Sequence, residues 1–451
     1  MAASILEAIG RIKAEVAQWL APETIEGICR TLGHTWRERL LDPVTTVHLF
    51  LLQMVHGNTA CNHVPRLGGV SCTGEAYGQA RARLPLALLQ QLLTQMTSTL
   101  KEALVGDGLW HGHRTFLVDG SSVSMSDTPQ LQAEFGQPSG QAKGCGFPVM
   151  HILAMFHAGT GLLLRVATAP LRTHDMSRIG QLHPELAARD VLVGDRAFCS
   201  FAHLALLLAQ KAHGLFRIHQ RQIVDFRPHR RAASKRSRKK GETGRPTSRW
   251  LKRLGKHDQL VEYVKSTDRP TWMTAEQYQA LPKAIIVREL RFTIPIKGRR
   301  TRVITLATTL LDSERYPAAD LADLYGQRWQ IETNFRHLKQ TLKMDVLRCH
   351  TVAGVQKELT MYALVYNLVR LVMREAARRQ GVEVARISFI DAMRWLATTD
   401  VRQATLQLLV NRERPNRIEP RVRKRRPKQY PVMKKPRDQL RKVILHKKHA
   451  A

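Results

Sequence analysis

Apolar and polar positions divide the chain into a helical opening, a mixed middle and a basic end. Up to about residue 105 the apolar residues recur at helical spacing. Leu20–Ala21–Pro22 breaks that pattern, and Thr45 and Thr46 are placed to cap the run VHLFLLQMVHG. A further helix spans Thr73 to Arg83 before Pro85, and LALLQQLLTQMTSTLKEAL is amphipathic. At Thr115 the period shortens to that of extended chain. TFLVD (Thr115–Asp119) is an apolar strand ending on an acid. FPVMHILAMF (Phe147–Phe156) and GLLLRVATA (Gly161–Ala169) read as a hairpin about the turn HAGT, and VLVGD (Val191–Asp195) is a second strand ending on an acid. Helix fits Met176–Ala187, interrupted or restarted at Pro184, and Phe201–Ala212, and HGLFRIH (His213–His219) is one more strand.

The order strand, strand, strand, helix, strand, helix, strand, with acids closing the first and fourth strands, predicts an α/β fold. Its expected form is a ribonuclease-H-like mixed sheet with flanking helices, in which those two strands are neighbours. Between Arg227 and Lys256 there are 13 Lys/Arg and one acid, Glu242, a block that reads as a mobile loop ordering on phosphates. Extended segments at Gln259–Lys265, Lys283–Thr293 and Arg300–Thr308 predict a small inserted sheet. Leu359–Arg379 and Ser388–Leu396 read as helices. From Asn411 the tail carries 16 Lys/Arg against 3 acids, and its five prolines are expected to prevent long regular structure.

Charge narrows the possible partners. Of 451 residues 71 are Lys or Arg and 37 are acidic, giving a formal charge of +34. Self-repulsion on that scale points to a polyanion, nucleic acid first and an anionic membrane surface second. The helical opening, with Arg66, Arg81 and Arg83 beside Gly/Asn turns, fits a helix-turn-helix-like DNA reader as well as a plain packing bundle. No run of 18 apolar residues exists, which argues against a membrane span, and the N-terminal MAASILEAIGRIKAEVAQWL lacks the apolar core of a signal peptide. A cytoplasmic protein is expected. Six scattered cysteines without a CxxC argue for reduced thiols and against structural zinc.

The candidate chemistry centres on YGQRWQIETNFRHLK. Tyr325, Arg328, Glu332 and Lys339 sit at offsets 0, 3, 7 and 14, and at about 100° per residue they fall within roughly a 60° arc of one α-helix. A salt-bridged solvent face has the same pattern, since Arg328 and Glu332 are an i,i+4 pair. Likewise Asp119 before Gly120 fits a turn, and Asp195 before Arg-Ala-Phe fits a helix cap. Together, Asp119, Asp195 and Glu332 are three carboxylates that cannot converge without cations between them. Oxygen-only ligands select Mg²⁺ or Mn²⁺, and two such ions about 3.5–4 Å apart suit in-line phosphoryl transfer. Arg328 and Lys339 are then placed to hold the flanking phosphates.

The spacing Tyr-x2-Arg-x3-Glu-x6-Lys resembles the signature of bacterial DDE transposases of the insertion sequence 4 family. LVDGSSVSMSDTP around Asp119 and VLVGDRAFCS around Asp195 resemble the family's two aspartate motifs, and RPNRIEPRVRKRRPKQYP its basic C-terminal segment. The resemblance implies a helical DNA-binding domain (1–108) and a catalytic core in two parts (109–219 and 313–400). Between the core parts it implies a β-rich insertion (220–312), and after them a basic tail (401–451). It further implies cut-and-paste transposition with two Mg²⁺ or Mn²⁺ ions at Asp119, Asp195 and Glu332: nicking at inverted-repeat ends, hairpin formation and strand transfer into target DNA. Tyr325, Arg328 and Lys339 are implied as DNA-phosphate contacts, and the protein as a nucleoid-associated homodimer in a synaptic complex. An insertion-domain aromatic can receive a flipped base in this family, but neither Trp250 nor Trp272 sits in a matching motif. A catalytically inactive DNA-binding regulator and a nuclease without joining activity are the alternatives.

Overall fold

The computed structural model describes residues 20–103, 108–233, 245–294, 302–397, 406–412 and 433–448. The first 19 residues, the heart of the basic block (234–244) and the segment RPNRIEPRVRKRRPKQYP lie outside the described residues.

The N-terminal helices are α1 (Pro22–Thr31), α2 (Pro43–Val55), α3 (Val64–Gly68), α4 (Gly74–Arg83) and α5 (Leu86–Ala103). The cap of α2 is Asp42 rather than Thr45 or Thr46. Its carboxylate accepts the Thr45 N–H at 2.7 Å, and Pro43, which needs no donor, occupies the first helical position. Thr73 caps α4 in the same way.

The centre is one mixed sheet of β1 (Thr115–Met125), β2 (Val149–His157), β3 (Leu163–Pro170), β4 (Val191–Gly194), β5 (His213–Arg217), β6 (Arg249–Gly255), β7 (Asp258–Val264), β8 (Ala284–Ile294), β9 (Arg302–Thr308) and the short β10 (Val346–Leu347). The first five strands lie in the order 3-2-1-4-5. β2 is antiparallel to both of its neighbours, and β1, β4 and β5 are parallel, the ribonuclease-H-like arrangement expected from the acid-ended strands. Three expectations need correction. β1 does not stop at Asp119: Gly120–Ser122 stay in an unbroken ladder with β2, so no turn forms there. The segment 176–187 is not an α-helix but part of three successive 3₁₀ turns, Asp175–Ser177, Ile179–Gln181 and His183–Glu185. Gly180 weakens an α-helix there and Pro184 cannot donate to one. The insertion is not a separate sheet either. β9 pairs antiparallel with β5, so β6–β9 extend the central sheet, and β6 is a charged edge strand inside the stretch read as loop.

Helices cover the sheet: α6 (Pro129–Phe135), α7 (Phe201–Ala209), α8 (Ala275–Ala280), α9 (Ala318–Gly326), α10 (Trp329–Arg336), α11 (Val352–Gln380), α12 (Phe389–Ala397) and α13 (Arg437–Lys448). The buried α11 packs on α2, α5 and α12 and so joins the N-terminal helices to the sheet. Its Glu358, fully buried, accepts from Asn58 Nδ2 at 2.5 Å and from the Arg348 and Cys349 N–H groups at 3.0 Å. One carboxylate thereby ties an N-terminal loop to the strand end at β10. α13 is a second departure from the expected irregular tail: it begins directly after Pro436, the last proline. Among the described residues no helix is long and apolar enough to cross a membrane.

Candidate active site

Asp119 and Asp195 are brought side by side by strand register. β1 and β4 pair in parallel from Thr115↔Val191 to Val118↔Gly194, and each aspartate is the next residue. Neighbouring strands lie about 4.8 Å apart, so the two carboxylates leave the same face of the sheet at the same level. Asp119 Oδ1 accepts the Gly120 N–H at 2.9 Å, and Asp195 Oδ1 accepts the Ala197 N–H at 2.7 Å, capping the turn Arg196–Phe198. The cap uses one oxygen of Asp195. Gly194 before it is a packing requirement, because a Cβ there would lie 2.8 Å from Phe198 Cδ2 and 3.0 Å from Val118 Cγ1. Burial pushes the Asp119 carboxyl up to about 6. The Gly120 N–H works against the rise, the negative charge of Asp195 adds to it, and Arg328 opposes it.

The opposite wall is not one straight α-helix. α9 ends at Gly326, tight i→i−3 bonds carry the chain through Gln327–Ile331, and after α10 a π turn spans His337–Thr341. Tighter winding at one end and wider winding at the other offset each other. Arg328 and Lys339 reach β1, and the helix that ends at Tyr325 packs on β5, each from a differently wound segment. Arg328 reaches Asp119 Oδ2 at 3.5 Å and Glu332 Oε1 at 3.8 Å, with its Nε buried and without a partner. Its guanidinium also lies over the Tyr325 and Trp329 rings, 5.9 and 5.1 Å from their centroids. Tyr325 is buried, which raises its phenol pKa against the pull of Arg328 and Arg217. Lys339 donates to Ser122 O at 2.7 Å and Ser121 Oγ at 3.2 Å, three and two residues past Asp119. Burial lowers its ammonium pKa.

Glu332 stands apart. Its side chain is 56% exposed and meets Asp119 only through Arg328. Among the described residues no three His, Cys, Asp or Glu side chains lie close enough to hold a metal ion together. The donor set nevertheless suits a hard cation. Two adjacent carboxylates, one held protonatable by burial and by its neighbour, carry negative charge that the Gly120 N–H and Arg328 partly offset. Sequence reasoning missed two features, the serines that dock Lys339 and a His151–Asp175 pair behind Asp119. The serines lie within LVDGSSVSMSDTP, so the motif was visible without its role. The pair depends on cross-strand register and left no local signal.

Residues 110–368 match the family model described as Transposase DDE domain. Transposase InsG for insertion sequence element IS4 of Escherichia coli (strain K12) is 26% identical over 384 residues, 79% of this chain and 78% of that protein. A probable transposase for insertion sequence element IS5377 of Geobacillus stearothermophilus is 26% identical over 241 residues, 51% of this chain and 54% of that protein. Among solved structures, a cryo-EM structure of the piggyBac transposase synaptic complex with hairpin DNA covers 83% of this chain and 75% of its own at 11% identity, with a TM-score of 0.41. With more than half of its length in the family model, and with the Tyr-Arg-Glu-Lys spacing and both aspartate motifs inside the matched region, the chain belongs to the DDE transposases of the insertion sequence 4 type.

Proposed function

We propose that this transposase moves DNA by cut-and-paste chemistry, with Asp119, Asp195 and Glu332 as its catalytic carboxylates. The observation that carries the reading is the in-register pair Asp119–Asp195 facing Arg328, which links it to Glu332. DDE transposases use divalent metal ions; here the three carboxylates are the ligands of two Mg²⁺ or Mn²⁺ ions, which when bound supply Lewis-acid activation at the reacting phosphate. The chain's own groups do the rest. Arg328, whose Nε lacks an acceptor, turns from Asp119 and Glu332 to a phosphate oxygen once their charge is otherwise met. Lys339, held over β1 by Ser121 and Ser122, places a second positive charge beside the reacting phosphate, and the buried Tyr325 backs the Arg328 guanidinium.

In this reading double-stranded DNA is the substrate of a homodimer: inverted-repeat ends are nicked, the freed 3′-hydroxyl attacks the opposite strand to form a hairpin, water reopens the hairpin to give back a 3′-hydroxyl, and that hydroxyl attacks target DNA. The helical segment 1–108, the insertion 220–312 and the tail 401–451 serve as DNA-holding parts around the core segments 109–219 and 313–400. The test is an assay on the element's own inverted-repeat DNA with Mg²⁺. Wild-type protein nicks and hairpins it. Glu332→Ala loses at least about 100-fold of that rate, as expected for loss of a group acting in the transition state, and keeps DNA binding in EDTA. Full cleavage by Glu332→Ala contradicts the assignment.

A further inference from the structure

On the face of β1 opposite Asp119, His151 and Asp175 form a hydrogen-bonded pair, Nε2 to Oδ1 at 2.5 Å. His151 stands on β2 across from Ser122, and Asp175 opens the 3₁₀ turn that follows β3. The pair rests directly on the residue after Asp119. A Cβ on Gly120 would collide with Asp175 Oδ1 and lie 3.0 Å from both Asp175 Cγ and His151 Cε1. The turn bearing Asp175 also packs on the turn Arg196–Phe198 that Asp195 caps. One polar couple thus backs the chain at both aspartates. Its side chains are 15% and 22% exposed, and a pair so close to solvent adds little to global stability. Its place is local: it abuts Gly120 of β1, and the turn that bears Asp175 abuts the turn that Asp195 caps.

We propose that His151 and Asp175 are a positioning pair that holds Asp119 and Asp195 at the spacing a divalent cation requires. Resting on the metal-site reading above, this assigns the pair to cation affinity and not to DNA binding. The side chains stand on the Gly120 face of β1. They act through Gly120 and the turn after Asp195, as outer partners of metal ligands generally do, where their loss weakens metal binding about 10–100-fold.

The test uses the full-length protein and Mn²⁺ alone, titrated calorimetrically without DNA, alongside the Mg²⁺ dependence of nicking and DNA binding in EDTA. Asp175→Asn and His151→Leu are each expected to weaken Mn²⁺ binding about 10-fold or more and to raise the Mg²⁺ concentration for half-maximal nicking in proportion. Nicking at saturating metal and DNA binding in EDTA stay near wild type. His151→Gln, which keeps a side-chain N–H for Asp175, restores most of the affinity. Wild-type Mn²⁺ affinity in both Asp175→Asn and His151→Leu overturns the proposal, as does equal loss in His151→Gln and His151→Leu. If Asp175→Asn does not fold, the comparison of the two His151 variants decides alone. Asp119→Asn separates the two readings: if it too binds Mn²⁺ like wild type, the metal site itself is wrong, whereas its loss beside intact Asp175→Asn binding removes only the positioning role.

Discussion

Asp119 carries a cost that the rest of the site explains. Its carboxyl titrates near 6 in the folded protein, against about 3.9 in the unfolded chain, because burial and Asp195 disfavour its charged form. The sign follows directly. Below about pH 4 the group is protonated in both states and costs nothing. As pH rises towards 6 the unfolded chain ionises first, and above 6 the folded, metal-free protein bears the full penalty, on the order of 3 kcal/mol. Asp119→Asn removes that penalty. In EDTA the variant should therefore melt several degrees above wild type at pH 7 and with little difference at pH 4, which differential scanning calorimetry reads. Equal melting at both values would mean that Asp119 carries no such strain.

At the scale of elements, what was legible depended on how local the cause is. The acid-ended apolar runs TFLVD and VLVGD were readable because short buried strands are continuous in sequence, and their placement as neighbours followed from the strand order. The end of β1 was not readable: Gly120-Ser-Ser looks like a turn, and only pairing with β2 keeps it extended. The 3₁₀ turns over 175–185 and the π turn at His337–Thr341 escaped for a related reason. Apolar spacing registers helicity but not its winding, which Pro184 sets in the first case and packing against the sheet in the second. Of the set Tyr325, Arg328, Glu332 and Lys339 expected on one face, Arg328 and Lys339 reach β1 while the Glu332 side chain is 56% exposed, because the segment is not wound as one straight α-helix. β6 was missed because an edge strand carrying Arg249, Lys252 and Arg253 has the composition of a loop. The His151–Asp175 pair joins a strand to a turn 24 residues on, a contact that no local pattern encodes.

For the whole molecule, the formal charge of +34 and the two aspartates pull in opposite directions. Long-range attraction favours a polyanion at the surface, while Asp119 and Asp195 bring two carboxylates together at the strand ends. Binding of linear duplex should accordingly fall steeply with salt, by at least tenfold between about 50 and 200 mM, whether or not the carboxylates are intact. A flat response in a filter-binding or anisotropy titration would detach the basic segments from phosphate. The continuous sheet ties this charge to the chemistry. β5 is paired on one side with β4, which ends at Asp195, and on the other with β9 of the insertion.

The central claim is that Asp119, Asp195 and Glu332 hold divalent cations, and the most direct measurement of it is iron-directed cleavage of the protein backbone. Fe²⁺ replaces Mg²⁺ at oxygen-rich sites and, with ascorbate and peroxide, cuts the chain wherever it is bound. The account predicts cuts grouped near residues 119, 195 and 332 in the DNA-bound protein, suppressed by excess Mg²⁺ and lost in Asp119→Asn. Cuts elsewhere, or cuts at these positions that Mg²⁺ does not suppress, would contradict it.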